Sequence, residues 1–145
     1  MINKLLTSDK ANITVHFTGR VDTGRTDSLP SFKPGDTVSG YVAILSTENM
    51  NYKKLLVRIK WRTEGRGDTD ESTWTSIEEP EGALIAGVVK TVAFSAVLPG
   101  EPWSFSGRYI AIVWGIEVEA DVAWKINLRH FAPFILAPEW AQPQR

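Results

Sequence analysis

The sequence predicts an all-β protein, an antiparallel sandwich of about seven or eight strands, and three observations carry that expectation. Apolar residues recur with period two in segment after segment, turn signals separate the segments, and no stretch keeps a convincing helical period. At 145 residues with 43% hydrophobic content, the chain can bury one sizeable core and is short for two. The expected organisation is a lead over 1–11, one sandwich over 12–138 and a tail over 139–145.

The first strand follows from Ile13, Val15 and Phe17, which share a face. A loop rich in Gly, Asp, Ser and Pro is expected over 19–36, ending in Lys33-Pro34-Gly35-Asp36. Pro34 suits the second position of a type II turn and Gly35 the third, which needs a positive φ. A strand over 37–46 should start there, with Val38, Val42 and Ile44 on one face and Gly40 on that same face marking a bulge or a close backbone approach.

The next strand, 54–63, sets Leu55, Val57, Ile59 and Trp61 against Lys54, Arg58, Lys60 and Arg62, one apolar face and one basic face. Residues 64–80 read as a polar loop carrying at most a short strand around Trp74. Val88, Val92, Phe94, Ala96 and Leu98 then align along 88–98. Pro99 and Pro102 fix φ and remove backbone donors, which stops that strand until Gly107 turns the chain into a long one. There Ile110, Ile112, Trp114, Ile116 and Val118 form a core face; Tyr109, Ala111, Val113, Gly115, Glu117 and Glu119 form the other, acidic only at its far end. A strand over 122–130 and a short Phe134-Ile135-Leu136 close the set.

With a formal net charge of -1 and both signs mixed along the chain, the sequence gives no electrostatic reason to expect nucleic acid or an anionic membrane as partner. The absence of cysteine excludes disulfides, cysteine-ligated zinc, iron-sulfur clusters and thiol catalysis. The first ten residues lack the pattern of a signal peptide, and no apolar run approaches the roughly 20 residues of a membrane span. The expectation is a cytoplasmic protein with no integral membrane segment.

Phe32-Lys33-Pro34-Gly35-Asp36-Thr37-Val38-Ser39-Gly40-Tyr41-Val42 places an aromatic, a Pro-Gly-acid turn and a Val-x-Gly-x-Val strand in succession. Farther on come Phe94-Ser95-Ala96-Val97-Leu98-Pro99, Pro102-Trp103-Ser104-Phe105-Ser106-Gly107 and Ile112-Val113-Trp114-Gly115-Ile116-Glu117-Val118. In this order the segments resemble the amino-terminal-type domain of arrestins and its bacterial relatives, including the sporulation-control type. The resemblance implies an immunoglobulin-like sandwich that binds proteins and is not an enzyme. Arrestins pair two such sandwiches and use charges between them as a phosphate-sensing latch, whereas this chain has length for one, so no phosphate-sensing residue is transferred. A Pro-Pro-x-Tyr motif for recruiting a ligase is also missing.

The inventory of reactive groups is short, and no cofactor is expected. His16 and His130 are the only histidines; neither accompanies a Gly-x-Ser-x-Gly elbow, and they do not lie at metal-ligand spacing. His16 alternates onto the polar side of its strand. Asp68, Asp70 and Glu71 offer oxygen ligands of the kind calcium takes, without the full calcium-loop spacing, so a solvated acidic loop is the preferred reading. Arg66-Gly67-Asp68 matches the integrin tripeptide, and Asn12-Ile13-Thr14 a glycosylation sequon; neither has meaning in a cytoplasmic protein.

Of the six tryptophans, Trp61, Trp114 and Trp124 share faces with aliphatic residues and are assigned to the core. Trp74, Trp103 and Trp140 fall in loops or the tail, Trp103 plugging one end of the sandwich or making a binding contact. Lys54, Arg58, Lys60 and Arg62 form the one directional charge, either a solvated face that protects against aggregation or a recognition surface for an acidic partner or a second copy. Glu117, Glu119 and Asp121 are their complements, across copies or within one sheet. As an exposed stripe, Arg58 and Lys60 should tolerate reversal to Glu without loss of stability. The candidate interaction surface is therefore Lys54, Arg58, Lys60, Arg62, Trp74 and Trp103. A non-catalytic protein-interaction module is expected, with a structural subunit of a homo-oligomer as the alternative and a sugar-binding sandwich behind both.

Overall fold

The alternating runs become strands wherever one face is apolar. The computed structural model describes residues 10–19, 29–67, 69–122 and 127–141, and among them nine strands follow one another. They are β1 (Ala11–Phe17), β2 (Ser31–Phe32), β3 (Thr37–Ser46), β4 (Met50–Gly65), β5 (Glu71–Leu84), β6 (Lys90–Val97), β7 (Phe105–Ser106), β8 (Ile110–Val122) and β9 (Leu128–Leu136). Glu139–Ala141 adds a single 3-10 turn. No helix among the described residues is long and apolar enough to cross a membrane.

Two sheets result, a three-stranded one ordered β1-β3-β6 and a six-stranded one ordered β2-β9-β8-β4-β5, with β7 on β8. All pairings are antiparallel except β2 with β9. Their inner faces bury Val38, Val42, Ile44, Val57, Ile59, Trp114, Ile116 and Val118 between them. An aromatic cluster fixes the middle of that core: Phe32 meets Phe134 edge-on at 5.4 Å, and Phe17 meets Phe94 at 6.0 Å.

The turn at Lys33 to Asp36 has the predicted chemistry. Gly35 has φ of 88°, the Asp36 N–H donates to the Lys33 carbonyl at 2.9 Å, and the Lys33 N–H donates to the Asp36 carboxylate at 2.8 Å. Gly40 is a close backbone approach, since a Cβ there would collide with the His16 carbonyl of the neighbouring strand.

Four expectations need correction. The loop expected over 19–36 contains β2, which is only two residues long and too short to show a period. The stretch 64–80 is mostly strand: β4 runs on to Gly65, and Glu71 begins β5, a 14-residue strand. Because β5 pairs only with β4, it is an edge strand, which explains how it tolerates Pro80 and a largely exposed, polar sequence. The strand drawn over 122–130 is instead the end of β8 and the start of β9, and β9 absorbs Phe134-Ile135-Leu136. Val88, outside β6, and Ile110, the first residue of β8, are both exposed and belong to no core face, because each stands at a strand end beyond the cover of the opposite sheet. Among the assigned tryptophans, Trp114 is fully buried, Trp61 packs half-buried against the core, and Trp124 lies outside the described residues.

Candidate functional site

The basic face of β4 is built by register. β4 and β8 run antiparallel with Lys54 opposite Asp121, Leu56 opposite Glu119 and Arg58 opposite Glu117, so cations of one strand stand beside anions of the next. The Arg58 guanidinium donates to Glu117 and to Glu119 at 2.8 Å each. Lys60 donates to Glu71 on β5 at 2.9 Å and lies 3.4 Å from Glu117. Arg129 and Asn127 reach the second oxygen of Glu119, both at 3.0 Å. Arg62 pairs with Glu64 at 2.8 Å and lies over the Phe131 ring, 3.9 Å from its centroid.

These contacts move the titrations in consistent directions. Burial opposes the charged form of Glu119, but the hydrogen bonds from Arg58 and Asn127 and the charge of Arg129 outweigh it and hold the carboxyl below its usual range. The Lys60 hydrogen bond and charge lower Glu71 likewise. Burial also works against the charged form of Arg58, and Glu119 and Glu117 reverse that and raise it.

The predicted site residues therefore separate. Lys60 is only 3% exposed and cannot present its ammonium to a partner; Arg58 and Arg62 are partly covered and already paired; Lys54 is exposed. A shallow depression of about 230 Å³ between Lys54, Arg58, Glu119 and Asp121 is lined by groups of both signs, two of which already satisfy each other. The face is a compensated lattice and not a free basic stripe.

Trp74 stands at an irregularity of the edge strand. Ile59 pairs with Thr75 and Lys60 with Thr73, so Trp74 is skipped by the register, and its indole N–H donates to the Val97 carbonyl of β6 at 2.9 Å. A bulge re-aims a side chain in this way. Lys90 and Glu79, paired at 2.8 Å, make a second link between the same two strands. Trp74 is nevertheless 49% exposed.

Trp103 lies at the end of the sandwich where β8 begins. Its indole N–H donates to Gly100 at 2.8 Å, and its ring meets Trp140 edge-on at 5.5 Å. Beside it, the Ser104 N–H donates to the Leu136 carbonyl and Phe105 pairs with Ile112. The same end brings in residues outside the candidate interaction surface read from the sequence. Gly65 pairs with Ile110, the Arg66 N–H donates to the Tyr109 carbonyl at 2.9 Å, and the guanidinium carbons of Arg66 and Arg108 lie 5.3 Å and 5.4 Å from the Tyr109 ring centroid. Phe105, Tyr109, Ile110 and Trp140 are all exposed. A signal for this convergence exists in the sequence, where Gly65-Arg66 and Gly107-Arg108 recur at the facing ends of two strands that pair.

Among the described residues, no three His, Asp or Glu side chains come together in a group able to hold a metal ion. His16 is exposed and stacks on Tyr41 at 4.7 Å, while Asp68 lies outside the described residues.

No family model matches the sequence, and no curated protein matches it. Among solved structures, the fold is similar to that of Spo0M, sporulation control protein, from Bacillus subtilis, with a TM-score of 0.67 and 12% sequence identity. The likeness covers 91% of this chain and 51% of that one, so this chain spans about half the length of that protein. The chain has an arrestin-like β-sandwich fold.

Proposed function

We propose that this chain is a non-catalytic protein-interaction module, acting as an adaptor or regulatory domain, and that it docks through the end of the sandwich that carries Trp103. One observation carries the reading. On the outer face of the large sheet Arg58, Lys60 and Arg62 are satisfied internally, whereas Trp103, Phe105, Tyr109, Ile110 and Trp140 are exposed at one end. Exposed large aromatics concentrated at one end of a domain mark interaction surfaces, and Trp, Tyr and Arg dominate the energetics of interfaces. A sporulation control protein of similar fold is consistent with a regulatory role. Affinity capture from native extract, with cross-linking, tests it: the parent should retain a different protein, and Trp103→Ala should lose it. Recovery of self-copies alone would replace this reading by the next.

The second reading is a subunit of a homo-oligomer, and the outer face of the small sheet favours it. Alternation turns Asn12, Thr14 and His16 of β1, Tyr41, Ala43 and Leu45 of β3, and Thr91, Ala93, Ser95 and Val97 of β6 outward, with no Lys, Arg, Asp or Glu among them. A sheet face without charge lacks the usual protection against stacking on another copy. Sedimentation velocity across a concentration series should then show a dimer that Ala93→Lys dissociates; a monomer at all concentrations removes this reading.

A further inference from the structure

We propose that the Arg66, Arg108 and Tyr109 tip binds an acidic, extended segment of a partner protein, a surface distinct from the basic stripe of β4. The proposal rests on the reading of the chain as an interaction module and names the chemistry of its partner. Charge complementarity carries it. Arg58, Lys60, Arg62, Lys90 and Arg129 are each held by a carboxylate of this chain. Arg66 and Arg108 are exposed, and among the described residues neither has a carboxylate at ion-pair distance.

The geometry fits a carboxylate better than a diffuse anionic surface. Both guanidinium carbons lie within 5.4 Å of the Tyr109 ring centroid, which gathers two planar, five-donor forks about a single aromatic platform. Such forks take carboxylates in bidentate fashion. Phe105, paired with Ile112, and Ile110 are both exposed at the same end of β8 and offer apolar surface for side chains next to the acid. The backbone beneath is tied together by hydrogen bonds: the Arg66 N–H donates to the Tyr109 carbonyl, the Gly107 N–H donates to the Ile110 carbonyl at 2.9 Å, and a Cβ at Gly65 would strike the Tyr109 carbonyl. A phosphatidylserine membrane would need about 4–8 basic residues at one surface, which two arginines do not supply.

The test is selection of random dodecamer peptides on the intact protein, with fluorescence anisotropy of the selected peptides. Peptides enriched in Asp or Glu beside an aromatic or aliphatic residue are expected. The variant R66E/R108E should weaken them by about tenfold or more at low salt, with a smaller gap in high salt and an unchanged melting temperature. R66A/R108A should give an intermediate loss, which separates charge recognition from misfolding. Selected peptides that bind R66E/R108E as tightly as the parent would overturn the tip proposal and leave the module reading standing. Failure to select any peptide would overturn the tip proposal, while the module reading stands or falls on the affinity capture. Cosedimentation with phosphatidylserine vesicles, lost in R66E/R108E and without peptide binding, would overturn the acidic-segment assignment in favour of a membrane.

Discussion

Trp114 shows how much one buried side chain is asked to do. Its ring is 0% exposed, stands 6.0 Å from Phe134, and its indole N–H donates to the Pro102 carbonyl at 2.8 Å, so the same residue fills the core and ties down the proline-rich connection. Trp114→Ala should therefore cost about 3–5 kcal/mol in urea unfolding, and Trp114→Phe, which keeps much of the ring but orphans that carbonyl, about 1–3 kcal/mol. A loss below about 1 kcal/mol for the alanine variant would contradict the packing. His130 makes a second residue-level prediction. It pairs with Val118 on the inner side of β9, and burial lowers its pKa below the usual histidine value. The folded state then binds fewer protons than the unfolded chain, so the stability it permits is complete above the unfolded value and is lost as pH falls through the lower folded one. Melting temperature should drop between pH 7.5 and pH 5.5, and His130→Gln should flatten that drop. The carboxylates of Glu71 and Glu119, both lowered, act only at more acid pH, which keeps the two effects apart. Equal pH profiles for parent and variant would remove His130 as the cause.

At the scale of elements, the pairing of β4 with β8 changes what the basic residues of β4 are for. Alternation along 54–63 is plain in the sequence and correctly separates the two faces, but alternation says nothing about which strand lies alongside. Only the register of Arg58 against Glu117 reveals that the cations are neutralised inside the sheet, and those residues are 59 positions apart. The same reason hides Lys60, whose carboxylate partner Glu71 reaches across from an edge strand that itself reads as a loop. Strands with an apolar face, such as β3, β6 and β8, are legible because burial demands the period. β5 is not, because an edge strand needs few buried residues, and β2 is shorter than any period. The expectation that Arg58 and Lys60 tolerate reversal must change accordingly. R58E/K60E would set a glutamate beside Glu117 and Glu119 and bury another without a cation, and removing the partner of a buried charge typically costs about 3–5 kcal/mol. Thermal unfolding should show a large loss, and a melting temperature equal to the parent's would mean that the lattice does not hold the sheet together.

For the whole molecule, the topology decides where the termini of the sandwich lie and what the exposed end is made of. Motifs in the order Phe32 to Val42 and Phe94 to Val118 make the arrestin-like architecture legible, because they record turns and strand starts that any such sandwich needs. The convergence of Arg66 and Tyr109 is less legible, since they stand 43 positions apart and only the β4–β8 pairing closes the gap. Closure is also long-range at the other boundary: Ser31 and Phe32 of β2 pair with Ile135 and Leu136 of β9, and the Ala137 N–H donates to the Phe32 carbonyl. The last strand thus seals the core with Phe134 and Leu136, which are 1% and 0% exposed, while Trp140 beyond it is 78% exposed and touches Trp103 at the surface. Two truncations separate these roles. A chain ending at Ala137 should keep cooperative unfolding and a melting temperature within a few degrees of the parent, with changed emission from Trp103 as its ring loses Trp140. A chain ending at Pro133 removes both buried side chains and the partner of β2, a loss of about 2–5 kcal/mol for each large residue, which exceeds what a marginal domain of this size can spare. That chain should show no cooperative melting by circular dichroism, and a sharp transition in it would place the edge of the folded unit before β9 ends.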